Sequence, residues 1–89
     1  MNHKIQQESL EAFEAVRQNL GKRQIQVLDA IKYLQYATNS MIASYLKLRI
    51  NQVTGRVKEL RDKRPILVKE SHTSWCPITK SRATYWELA

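Results

Sequence analysis

Apolar residues recur along this chain at three- and four-residue spacing for its first two thirds and then at a shorter period. Over 6–20, Leu10, Phe13, Val16 and Leu20 form a helical stripe. Glu8, Glu11 and Glu14 crowd its first turns, which suits the positive end of a helix dipole, and Gly21 offers a left-handed cap at its end. A second helix is predicted over 22–36, with Ile25, Leu28, Ile31 and Leu34 in line and Val27 on the flank. Thr38 is placed to cap a short third helix, 39–46, that turns Ile42 and Leu46 inward. Lys47, Leu48 and Arg49 make a break. Asn51 can then cap a fourth helix, about 51–63, which buries Val53, Val57 and Leu60. It ends by Arg64, because Pro65 drives the residue before it out of helical geometry.

Beyond Pro65 the pattern becomes that of strands. Residues 66–70 read as one strand, 71–74 as a turn, and 84–88 as a second strand with Trp86 and Leu88 on one face. The expected fold class is therefore mainly α with a small β-hairpin (α+β). Two units are expected: an N-terminal helix over 1–21, and a compact domain over 22–89. The helix leaves two roles open, a strut packed on its own domain or a dimerisation helix whose stripe meets its twin.

Composition narrows the setting. Eighty-nine residues allow one small core. A single cysteine, Cys76, excludes an internal disulfide framework and fits a reducing cytoplasm. No apolar run reaches the roughly 18 residues of a membrane span, and the N-terminus has no signal-peptide core. A soluble, cytoplasmic protein is expected, on the nucleoid when bound to DNA. The net charge of +7 is unevenly placed. Up to residue 31, Lys4, Arg17, Lys22 and Arg23 are balanced by Glu8, Glu11, Glu14 and Asp29. The other eleven basic residues face only Glu59, Asp62, Glu70 and Glu87, so the whole +7 lies from residue 32 onward. Such asymmetry points to a polyanionic partner.

The two short helices, the strand–turn–strand and this charge together resemble a winged helix-turn-helix, as in the small DNA-binding regulators of bacteria and their phages, including the MarR-like group. The residues that carry the likeness are Ile42-Ala43 with Leu46, Leu48-Arg49-Ile50 at the turn, and Val53-Thr54-Gly55-Arg56-Val57 with Leu60. The strand segments 66–70 and 82–88, and the Cys76–Arg82 stretch before the last strand, complete it. Two departures stand out. Lys47-Leu48-Arg49 occupies a turn where such proteins usually carry glycine, and Arg64-Pro65 precedes the first strand in place of glycine. The chain also stops at the wing, where MarR-type dimers continue into a long helix, so a homodimer is expected to use the N-terminal helix or another surface.

The resemblance implies that the fourth helix enters the major groove of double-stranded DNA and that the basic wing, about 66–88, lies on the backbone or in the minor groove. Asn51, Gln52, Thr54, Arg56 and Lys58 are the candidate readers, because Asn and Gln pair with adenine and Arg with guanine. Lys47, Arg49, Arg61, Lys63 and Arg64 suit phosphate contacts, and Lys80 and Arg82, with His72, belong to the wing. Gly55 in mid-helix costs about 1 kcal/mol against alanine. Packing against the preceding helix is the favoured reason for it, and close approach to DNA the other. Trp86 is expected in the core, while Trp75 either stacks on a base or packs under the hairpin.

No metal, cofactor or catalytic centre is expected. One thiol with His3 and His72 falls short of the four ligands of structural zinc, and there is no phosphate loop or nucleophile–base frame. The expected function is sequence-specific DNA binding in transcription regulation. The alternatives are a phage replication or packaging accessory with the same fold, and a protein-interaction module that no longer binds DNA. Single-strand or RNA binding draws little support, since the strands lack paired aromatics.

Overall fold

The computed structural model describes residues 20–89. The N-terminal helix, its dimerisation role and His3 fall outside the described residues. Three helices are followed by one antiparallel hairpin: α1 (Lys22–Leu34), α2 (Asn39–Leu46), α3 (Ile50–Asp62), β1 (Val68–Cys76) and β2 (Ser81–Leu88). The α+β class expected from the pattern is present, with helices and hairpin in the order of a winged helix. Val27, Leu28, Ala30 and Ile31 from α1, Ile42 and Ala43 from α2, and Val53, Val57 and Leu60 from α3 form one core with Leu67, Val68 and Trp86. Val27, assigned to the flank of its stripe, is fully buried, while Ile25 and Leu34 only pack against the rim. None of the described helices is long and apolar enough to cross a membrane.

Both long helices start with the same device. A glutamine at the third helical position turns back to accept the N–H of the residue before the helix, satisfying a donor that has no partner within the helix. In α1, Gln24 Oε1 accepts from Gly21 N–H at 2.9 Å. In α3, Gln52 Oε1 accepts from Arg49 N–H at 3.0 Å. Two expectations are thereby corrected. Gly21 has extended backbone (φ −69°, ψ 159°) and opens α1 instead of taking the left-handed conformation. Asn51 does not cap α3, because the helix begins at Ile50 and Arg49 holds the cap position. Thr38 does cap α2, its hydroxyl oxygen accepting from Met41 N–H at 3.1 Å.

The turn without glycine works through Lys47, which adopts the left-handed conformation (φ 59°, ψ 45°). Its N–H donates to Ser44 O at 3.3 Å, and Leu48 N–H reaches back to Ala43 O at 2.8 Å. This pair of bonds is the Schellman pattern, accompanied by Leu48 packing on the core. A left-handed lysine costs about 1–2 kcal/mol, which the two bonds and the apolar contact offset. At its other end, α1 stops at Leu34, two residues short of the expected limit, because Ala37 is drawn into extended pairing with the hairpin.

The hairpin differs most from the sequence reading. Its strands are longer, and the predicted turn over 71–74 lies inside β1. His72, Thr73 and Ser74 pair with Tyr85, Thr84 and Ala83, after a bulge between Glu70 and His72. The reversal occurs instead at Pro77–Lys80, where Lys80 is left-handed (φ 54°) and donates its N–H to Cys76 O at 2.8 Å. Serine and threonine looked like turn residues, but cross-strand partners decide such positions. The His72 and Tyr85 rings stack at 4.8 Å, a contact no local propensity encodes.

Two anchors hold the hairpin to the helices. Ala37 N–H donates to Trp86 O at 3.1 Å and Trp86 N–H returns to Ala37 O at 2.8 Å, a single bridge that seats the base of β2. At the far end, the Cys76 thiol is buried 3.1 Å from the Thr38 hydroxyl. The Thr38 oxygen already accepts from Met41, so its hydrogen is free to donate to sulfur. Burial pushes the Cys76 thiol up, but hydrogen bonds from Thr38, the backbone of Thr79 and Ile78 and the Thr79 hydroxyl outweigh it and lower the pKa from 9.0 to about 7.

Candidate nucleic-acid interface

With Val53, Val57 and Leu60 turned inward, helical geometry places Asn51, Thr54, Gly55, Lys58 and Asp62 around the outward line of α3. Asn51, Thr54 and Lys58 are all exposed. Asn51 and Lys58 make no hydrogen bond or ion pair with the other described residues, so their polar ends are available to a partner. Gly55 lies among them. A Cβ built there meets no heavy atom within 4 Å, so packing against α2 does not explain this glycine. The expectation that it serves helix packing is corrected: the space it leaves opens outward.

Gln52 and Arg56 lie one row over, on the flank that faces α1. Gln52 spends its side-chain oxygen on the helix start. Arg56 Nη2 bonds Glu59 Oε2 at 2.8 Å, and Glu59 Oε1 in turn accepts from Gln24 at 2.9 Å. These contacts hold both side chains close to the protein surface. Arg23, Asn51, Gln52 and Arg56 together line a cleft of about 320 Å³ between the starts of α1 and α3. Arg23 Nη1 and Arg56 Nε are buried without a hydrogen-bond partner. These are single nitrogens, and the Arg56 guanidinium is paired with Glu59 through Nη2. Arg23 was missed by the sequence reading, since charge counting assigned it to the neutral third of the chain. Only the packing of α1 beside α3 brings it to Asn51, Gln52 and Arg56.

The opposite flank meets the hairpin. Thr38, Ser40, Ile50, Thr54, Thr84 and Trp86 are among the residues lining a cleft of about 350 Å³, rich in hydroxyls. The Arg61 guanidinium lies 5.7 Å from the Trp86 ring centroid and its Nε bonds Asp62 at 3.2 Å, so this base is packed as well as charged. Arg64 folds back on the carbonyls of Asp62 and Lys63 at the end of α3. Lys47 and Arg49 are exposed in the turn between α2 and α3, and Lys63 is half-buried just past α3. On the hairpin, Lys80 sits in the reversal and Arg82 Nη2 donates to Thr73 O at 3.3 Å. His72 is held between Tyr85 and Tyr36 (ring centroids 5.5 Å apart) and hydrogen-bonds Ser71 at 2.8 Å, which makes it part of the hairpin's own packing. Trp86 is only 7% exposed, as expected of a core residue. Trp75 is 58% exposed, so it is not buried beneath the hairpin, and one of its two expected placements is removed.

Neither a family model nor a curated protein matches this sequence. Among solved structures, the fold is similar to a possible transcriptional regulator from Methanosarcina mazei Go1, with a TM-score of 0.62 at 17% identity. The match covers 90% of this chain and 65% of that protein, so this chain spans less than two thirds of its neighbour's length. At this identity the likeness is one of fold.

Proposed function

We propose that this chain binds double-stranded DNA in a sequence-dependent way, as a transcriptional regulator, with α3 in the major groove. The observation that carries the reading is the outward line of α3. It presents an amide, a hydroxyl, a bare backbone at Gly55 and an ammonium at Asn51, Thr54 and Lys58, on the two thirds of the chain that holds the whole +7 excess. A helix about 10–12 Å across fits the major groove, where amide and ammonium groups distinguish base edges. The solved neighbour, a possible transcriptional regulator, agrees with this use of the fold.

The readers then divide by what already holds them. Asn51, Thr54 and Lys58 reach base edges. Gln52 and Arg56, committed to Arg49 and Glu59, work with Arg23 on a backbone phosphate at the groove edge. Lys47, Arg49, Lys80 and Arg82 add phosphate or minor-groove contacts from the turn and the hairpin. Selection of bound sequences from a random duplex pool tests this division. The N51A/K58A pair is expected to lose base preference at two or three positions while keeping weak, salt-sensitive binding. The Q52A/R56A pair is expected to weaken binding with its preference kept. Unchanged preference in N51A/K58A sinks the assignment of the reading row.

A further inference from the structure

The reversal of the hairpin carries an apolar surface that the proposed reading row does not use. Trp75 is 58% exposed and Ile78, in the reversal itself, 51%. Residues 71–86 hold Lys80 and Arg82 and no acidic residue. Trp75 pairs directly with Arg82, and side chains of paired residues leave the same face of a hairpin. Along β2 that face continues through Thr84, which lines the cleft shared with Thr54, to Trp86, which lies under Arg61 of α3. The exposed indole therefore stands at the outer end of a face whose inner end is fixed to the proposed reading helix. Its backbone is held too: the Tyr85 hydroxyl donates to Trp75 O, and Arg82 bonds Thr73 O at 3.3 Å.

We infer that Trp75 is a wedge for the minor groove of duplex DNA, stacking against a base step beside the tract that α3 reads, while Arg82 and Lys80 hold the flanking phosphates. The inference rests on the DNA-binding reading above. An exposed aromatic side chain paired with Arg82, on a stretch of chain with no acidic residue, matches minor-groove proteins that pair basic side chains with an apolar insert. Stacking of this kind tolerates sequence, so it adds affinity and leaves discrimination to α3.

The two tryptophans make the test direct, because Trp86 is buried and Trp75 dominates any change in emission. The full chain is titrated with a fluorescein-labelled mixed-sequence duplex at low salt, and anisotropy and tryptophan emission are read together. Quenching that tracks the anisotropy, absent in W75F and absent when heparin replaces duplex, is the expected result. W75A is expected to bind roughly 5- to 150-fold more weakly, with thermal unfolding unchanged because the site is exposed. Saturating anisotropy with unaltered emission, equal quenching by heparin, or W75A affinity within twofold of wild type overturns the wedge and leaves DNA binding intact. Absence of any anisotropy change overturns the DNA-binding reading beneath it.

Discussion

Gly55 carries an intrinsic helix cost, and among the described residues no packing contact explains it. Replacing it by alanine fills empty space. We expect Gly55→Ala to raise stability by about 1 kcal/mol in urea unfolding, while duplex affinity falls because the added methyl meets the DNA. Raised stability with undiminished affinity would show that α3 does not approach DNA at this point. Cys76 makes a different kind of prediction. Its folded pKa, about 7, lies below the ordinary 9.0. From pH 7 to 9 the folded state has released a proton that the unfolded state still holds, so this term grows with pH, is complete above about 9 and is lost as pH falls through 7. The urea midpoint should rise between pH 6.5 and 9, and Cys76→Ser should flatten that rise. A slope unchanged by Cys76→Ser would assign it to another group.

Among the elements, the hairpin depends on few bonds to the helices. The Ala37–Trp86 bridge is the one backbone pairing between the α1–α2 connection and β2. Ala37→Pro deletes its donor and leaves the Trp86 carbonyl buried without it, at a cost of roughly 1–3 kcal/mol. A fall in thermal midpoint with a red shift of Trp86 emission is expected, and an unaltered midpoint would mean that side-chain packing alone seats the hairpin. Element boundaries also show where local signals were enough. The caps at Thr38 and the stop before Pro65 were legible because one side chain or one missing N–H decides each. The start of α3 was misplaced because Asn51 is a good cap by type, whereas the observed cap is completed by Gln52 from inside the helix. The hairpin turn was misplaced because His72 and Thr73 belong to a strand only once Tyr85 and Thr84 face them.

For the whole molecule, charge decides how binding responds to salt. If about five phosphates are neutralised per chain, the log–log slope of affinity against salt is expected near −4 to −5. Arg23→Ala should reduce that slope by about 1 without altering the selected sequence. A slope equal to wild type would place Arg23 away from phosphate. The charge imbalance could be counted from the chain, but its direction in space could not. Arg61 is spent partly on Trp86 and Arg56 partly on Glu59, so the formal +7 overstates the free positive charge near α3.

The existence of α1 to α3, the inward stripe of α3, the capping threonine and the basic excess were determined by the sequence alone, because period, cap chemistry and charge are properties of neighbouring residues. The tertiary structure decided the rest. It set Arg23 beside Arg56, turned Trp75 outward and Trp86 inward, lengthened the hairpin to Pro77–Lys80, and left open space beside Gly55. Each of these depends on which distant residues meet, and that is fixed only when α1, α3 and the hairpin close on one core.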